Sequence, residues 1–339
     1  MKISPLKTSV YNMIVIFCIL LMSVACTPKK ETQKLVIYTS YYKEVIELFK
    51  PGLKKSFPDV EIEWFQAGSE NVAARVLAEQ QGGGVKADIL ITSDIFFYQE
   101  QKRAGNFAPI TATHLGTLPP HLVDADKMFA VTRFPVMVIA INTKKVLESD
   151  RPKSFKDLID PKFKDKLTMP SPLESGTALA TSMYLSNIYG EEYFKGLRKN
   201  NIVSAGGNGA TMSRIQTGEK PVGLVLMENI LQAKEKGSDV VDFIIPEEGA
   251  FAIPSPMAIF KSSKNHELAN KIFDWFISPN SQEFILKGWI YSAYPDFKAP
   301  AGAPEWKNLK VYPWSLKTLE EWGLKRQETK DLFQNIVLK

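Results

Sequence analysis

Cysteine is almost missing from this chain. Cys18 and Cys26 are the only two in 339 residues, and both stand near the N-terminus. The folded body therefore has no thiol for a disulfide, a thiolate metal site or a cysteine nucleophile. Histidine is as scarce: His114, His121 and His266 show no HExxH or other metal-ligand spacing, which leaves zinc hydrolysis and Ser-His-Asp chemistry short of parts. The apolar run Met13 to Met22 stops at ten residues, well short of the roughly 20 needed to cross a bilayer. Charge of one sign is also lacking. Forty-two Lys and Arg against 37 Asp and Glu give +5, which falls to +3 without Lys2 and Lys7. So weak and dispersed an excess is no nucleic-acid footprint.

What is present begins at the N-terminus. Lys2 and Lys7, the apolar run, the small residues Ser23, Val24 and Ala25, and then Cys26 together read as an export signal over 1–25. Residues 26–33 carry no apolar pattern and read as a polar tether. Beyond it, 45% hydrophobic residues support a large buried core, and the length favours two lobes.

The body alternates strand and helix patterns. Leu35 to Tyr38 is an apolar run ending at Thr39-Ser40, followed by helical spacing through Val45, Leu48 and Phe49 that Pro51-Gly52 is expected to break or kink. Val60 to Phe65 is a second strand leading to Gly68-Ser69-Glu70, with Ser69 as a candidate helix cap, and Ala87 to Ile91 is a third, ending at Thr92-Ser93-Asp94. Such alternation predicts a mostly parallel, helix-covered sheet whose ligands bind beyond the carboxyl ends of the strands. Met128 to Thr132 and Val136 to Ile141, separated by Arg133-Phe134-Pro135, read as the passage into a second lobe, and Phe251 to Phe260 as the return. A helix-and-turn stretch over Ser154 to Phe163 is expected between them. The stripe Leu268, Ala269, Ile272, Phe273 and Phe276 predicts a helix that packs back on the first lobe.

The order and spacing of Leu35-Val36-Ile37-Tyr38-Thr39-Ser40, Lys86-Ala87-Asp88-Ile89-Leu90-Ile91, Val138-Ile139-Ala140-Ile141-Asn142-Thr143, Ser175-Gly176-Thr177 and Lys264-Asn265-His266-Glu267-Leu268-Ala269 resemble the type II periplasmic solute-binding proteins of ABC transporters. The likeness is to the branch of ferric-ion-, phosphonate- and hexose-phosphate-binding proteins. It implies an α/β fold of two lobes, each a mainly parallel sheet covered by helices, joined by crossover strands. Lobe 1 would comprise 34–133 and 254–339, and lobe 2 134–253. The partners implied are a small ligand in the cleft, an ABC permease and its ATPase. Ser23-Val24-Ala25-Cys26 resembles a lipobox, with Ser23 where Leu is commonest. That implies a lipid anchor on Cys26 in the cell envelope, in the periplasm or at the outer face of the cytoplasmic membrane, and a monomer is expected.

Iron-binding members of that branch carry a His after the first strand and a Tyr-Tyr pair before a helix in the second lobe. Here Tyr42 and Met227-Glu228 stand in those places. Thioether sulfur matches ferric iron poorly, so iron is the second reading and no cofactor is expected. The first is a small organic anion such as a phosphonate or sugar phosphate. Thr39, Ser40, Ser69, Ser175, Gly176, Thr177, Asn208 and Gly209 offer hydroxyls and backbone N–H groups at helix starts, which together suit a phosphate or carboxylate. Tyr41, Glu70 and Ser93 lie in the same turns, and Arg133 at the lobe junction could clamp an anion bidentately. Glu228 would accept hydrogen bonds from hydroxyls or an amine at the ligand's other end. A third reading is a carboxylate-dependent hydrolase drawing on Glu70 with Asp94 or Glu228. Gly206-Gly207-Asn208-Gly209 lacks the Lys of a P-loop, and Gly82-Gly83-Gly84 reads as a turn only.

Overall fold

The computed structural model describes residues 33–339. The expected signal segment, the expected lipidation site Cys26 and all of the tether except Gln33 lie outside the described residues. The chain opens as three strand-helix units: β1 (Gln33–Thr39), α1 (Lys43–Ser56), β2 (Val60–Gln66), α2 (Ser69–Gln81), β3 (Ile89–Ile91) and α3 (Ile95–Arg103). β1 pairs in parallel with β2 on one side and β3 on the other, so Leu35, Ile37 and Ile89 are fully buried and the strand ends gather along one edge. α1 runs unbroken through Pro51. The break expected at Pro51-Gly52 does not form, and Gly52 lies against the rings of Trp275 and Phe284, where a Cβ would come within 2.8 Å of Trp275.

β4 (Phe107–Ala108) and β5 (Ala130–Phe134) lead to the first crossing, where Pro135 separates β5 from β6 (Val136–Asn142). The second sheet follows: β7 (Leu167–Met169), α4 (Gly176–Tyr189), α5 (Glu191–Lys199), β8 (Val203–Ser204), α6 (Asn208–Thr217), β9 (Val222–Leu226), α7 (Met227–Glu235), β10 (Val241–Ile244) and β11 (Phe251–Ala252). The stretch before β7 forms short 3₁₀ turns, Lys156–Ile159 and Pro161–Phe163, rather than an α-helix. The chain then returns through β12 (Ser255–Phe260), α8 (His266–Ile277), α9 (Pro279–Lys287) and β13 (Tyr291–Ser292), and ends with α10 (Leu316–Gly323) and α11 (Arg326–Phe333).

The strand orders are β13-β5-β12-β3-β1-β2, with β4 on β12, and β10-β6-β9-β7-β8, with β11 on β6. Each sheet has a parallel half, β2-β1-β3 and β8-β7-β9, while the crossing strands β5, β6 and β12 run antiparallel to their neighbours. The α/β fold is therefore two mixed sheets. The two crossings touch, Ile253 N donating to Pro135 O at 2.8 Å. α8 packs on the first lobe as its stripe predicts, with the Phe276 ring 5.2 Å from that of Phe49.

The C-terminal segment behaves differently from the simple division in which 254–339 belongs to lobe 1. α10 lies on α3, but α11 lies along α4 of the second lobe. Trp322 of α10 also reaches the second lobe, meeting Tyr184 of α4 at 5.2 Å, and Phe333 of α11 meets Phe194 of α5 at 5.9 Å. Among the described residues no helix is long and apolar enough to cross a membrane.

Candidate ligand-binding cleft

A cavity of about 230 Å³ lies between the sheets, at the carboxyl ends of β1, β2 and β3 on one side and the starts of α4, α6 and α7 on the other. Ten of the expected site residues line it: Ser40, Tyr41, Ser69, Ser93 and Arg133 from the first lobe, and Ser175, Thr177, Asn208, Gly209 and Glu228 from the second.

Arg133 forms the floor. It is 2% exposed, and its guanidinium carbon sits 3.6 Å from the centre of the Tyr41 ring. Nη2 donates to Ser93 Oγ at 3.1 Å, and that oxygen also receives a hydrogen bond from Ser255 Oγ at 2.8 Å. Nε and Nη1 have no partner in the protein. An unpaired buried charged donor is costly, so a cation left with two free N–H directions at a cavity is equipped to receive an anion. Ser40 Oγ is likewise buried and unpaired.

The opposite wall is a connected hydroxyl-amide set. Ser175 Oγ caps α4 by accepting from Ala178 N and lies 2.9 Å from Thr177 Oγ1, which accepts from Asn208 Nδ2 at 3.0 Å. Asn208 Oδ1 remains unpaired and buried. Part of the Ser175 hydroxyl is thus committed to capping, while Thr177 and Asn208 are held by one another at the rim of the cavity.

Glu228 stands in the first turn of α7 and is 5% exposed. Burial pushes its carboxyl up to about 8, against the opposing pull of the backbone N–H groups of Glu228 and Val136 and of Arg133. The side chain is therefore no solvated helix-start carboxylate: it is a desolvated group with Arg133 in the same cavity. Met227 turns away into the core, where Tyr291 approaches its sulfur at 3.9 Å.

Three expected residues lie outside the lining. Thr39 is fully buried and its Oγ1 accepts from Tyr41 N, so it shapes the turn that carries Ser40 and Tyr41. Glu70 points away to Arg326 and Lys330. Gly176 is a contact point: a Cβ there would lie 2.7 Å from Asp94 Cβ and 2.8 Å from Ser69 Cβ, so the lobes meet backbone to side chain. Gly68 plays the reciprocal part against Glu174 O, 2.5 Å from where its Cβ would be. Ser69 starts α2 without capping it, its Oγ accepting instead from Ser93 N at 3.3 Å.

The cavity also takes in Tyr42, Gln66, Asn71 and Glu174. Tyr42 donates to Asn229 Oδ1 across the cleft at 3.3 Å. Gln66 ends β2, so the rule that ligands bind beyond strand ends would have found it. Asn71 and Glu174 sit within a turn of helix starts already singled out, but nothing in their spacing marks them.

The family model described as bacterial extracellular solute-binding protein matches residues 85–316. A periplasmic protein of Salmonella typhimurium assigned to 2-aminoethylphosphonate binding is 23% identical over 275 residues, 78% of this chain and 77% of its own. The Fe(3+)-binding periplasmic protein of Serratia marcescens is 20% identical over 260 residues, 75% of this chain and 76% of its own. Among solved structures, the periplasmic binding protein AfuA from Actinobacillus pleuropneumoniae with fructose-6-phosphate bound superposes with a TM-score of 0.80 at 21% identity, covering 90% of this chain and 99% of AfuA. These likenesses agree on a two-lobed periplasmic binding protein and differ in what is bound. The chain belongs to the bacterial extracellular solute-binding protein family.

Proposed function

We propose that this protein captures a small anionic organic solute, a phosphonate, sugar phosphate or other organophosphate, and delivers it to the permease of an ABC importer. The observation that carries the reading is Arg133, buried at the cleft floor with Nε and Nη1 free. An anionic head group would take those two donors together with the Ser40, Ser93 and Thr177 hydroxyls. Glu228 would receive a hydroxyl or amine at the other end, a role with no purpose for bare phosphate, which its ionised form would repel. Because the donors come from both lobes, only the closed arrangement offers them all to one solute, which is how capture would favour closure.

Iron is the second reading. Burial pushes the Tyr41 and Tyr42 phenols above their ordinary range, for Tyr41 against the pull of Arg133 and for Tyr42 with the Glu228 carboxylate adding to it, a setting that favours neutral phenols over the paired phenolates a ferric ion prefers. The hydrolase reading needs free paired carboxylates, and Glu70 and Asp94 are both held by Arg326. We further propose that the chain is non-catalytic and anchored at the outer face of the membrane through lipid on Cys26.

Native mass spectrometry of the purified protein, followed by calorimetry with 2-aminoethylphosphonate, fructose 6-phosphate, inorganic phosphate and ferric citrate, tests the assignment. Binding of an organophosphate that is recovered unchanged, without a visible absorption band on adding iron, is the expected result. A phenolate charge-transfer band with iron, or binding of inorganic phosphate alone, would overturn it.

A further inference from the structure

The second buried arginine of the molecule lies outside the cleft. Arg326, 7% exposed, starts α11 and is saturated with acceptors. Nη2 donates to both Glu70 oxygens at 3.0 and 2.9 Å and to Asp94 Oδ2 at 2.7 Å. Nε donates to the same Asp94 oxygen at 3.2 Å, and Nη1 faces Glu100 at 3.5 Å. Lys330, one turn later, also bonds Glu70. Glu70 directly follows Ser69, and Asp94 directly follows Ser93 and caps α3 through Phe97 N. The carboxylates held by Arg326 are thus the sequence neighbours of two cavity-lining hydroxyls of the first lobe.

The rest of α11 belongs to the second lobe by contact. It lies along α4, whose first turn supplies Ser175 and Thr177, and it sets Phe333 against Phe194 of α5. Beyond it, Arg198 of α5 donates to the Lys339 carbonyl at 3.0 Å. The strand crossings at Pro135 and Pro254 join the lobes at the floor of the cleft, whereas this third connection spans its side. Opening the lobes would have to break either the Arg326 ion pairs or the packing of α11 and Trp322 on α4.

We propose that the C-terminal segment is a strap that fastens the two lobes in the closed arrangement, with Arg326 as the positioning residue that ties α11 to the turns carrying Ser69 and Ser93. The strap acts on the lobes themselves, so it does not depend on which solute is bound.

Small-angle scattering and hydrogen exchange on the full chain without added solute test it. Arg326→Gln should enlarge the radius of gyration and speed exchange of the first-turn amides of Val72, Phe97 and Ala178 together, by about tenfold or more for each charge-assisted hydrogen bond lost. Arg326→Lys, which keeps the charge, should recover part of both. The triple variant Glu70→Gln, Asp94→Asn, Arg326→Gln, which removes the two buried carboxylates together with their arginine, carries the same test should the single variant fail to fold. A lowered melting temperature with unchanged scattering and unchanged exchange on the α4 side would overturn the proposal and leave Arg326 as a brace within lobe 1. Because no solute enters the measurement, failure here is separate from failure of the organophosphate assignment.

Discussion

Arg133 and Arg326 are both buried guanidinium groups, and they are opposites. Arg326 meets three carboxylates and a neighbouring lysine that shares one of them, whereas Arg133 meets one serine hydroxyl and a tyrosine face. A saturated cation has its partners within the protein, and removing it strands their charges. An unsaturated one at a cavity depends on a molecule from outside. The contrast separates a structural arginine from a ligand-binding one more sharply than burial does, since both are nearly inaccessible.

The largest expected effect follows from exchanging their fates. Arg133→Met should cost an organophosphate at least two charged hydrogen bonds, each about 1.5–3 kcal/mol, or two to four orders of magnitude in affinity by calorimetry, while the melting temperature stays level or rises. Arg326→Met should do the reverse, destabilising the fold by about 3–5 kcal/mol because Glu70 and Asp94 lose their counter-charge. Equal losses of affinity and stability in both variants would erase the distinction.

How much of this was legible beforehand follows the same divide. Ser40, Ser69 and Ser93 could be found because strand periodicity locates strand ends, and strand ends locate the cleft. The parallel halves of both sheets followed from strand-helix alternation. Arg133 stood out as a cation at the lobe junction, although its free donors are visible only in three dimensions. Glu70 misled because a carboxylate at a helix start next to a site residue has the same local pattern whether it faces ligand or a distant arginine. Its partner lies 256 positions away, and no periodicity carries that information. The same distance hid the C-terminal segment's attachment to both lobes, and nothing in the local pattern showed that α1 passes through Pro51 with Trp275 and Phe284 packed at Gly52.

A smaller effect is expected where the lobes touch. Gly176 lies at the contact between the Arg133 side and the hydroxyl side, and its absent Cβ leaves no room beside Ser69, Ser93 and Asp94. Gly176→Ala should therefore prop the cleft, at an overpacking cost of about 1–3 kcal/mol charged to the closed state alone. Calorimetry should show affinity reduced by about tenfold to a hundredfold, with scattering more open and each lobe still folded. Wild-type affinity would mean that Ser69 and Asp94 yield without moving the lobes.

The smallest and most diagnostic effect concerns Glu228, the acidic counterpart of Arg133 in the same cavity. Burial holds its carboxyl up to about 8 in the folded protein, against an ordinary value of 4.5. Between those two values the folded state keeps a proton that the unfolded state has released, so stability should fall as pH rises through this window and level off above it. Glu228→Gln removes that dependence: its melting temperature relative to wild type should climb from about pH 5 to pH 8. A ligand bearing an ammonium group would favour the ionised carboxylate, so binding 2-aminoethylphosphonate near pH 7 should expel more protons from the wild type than from Glu228→Gln. Calorimetry in buffers of different ionisation enthalpy reads this directly. Fructose 6-phosphate, whose remote end offers only hydroxyls, should expel fewer protons from the wild type. Identical proton release for both solutes in both proteins would show that Glu228 does not face the ligand's far end.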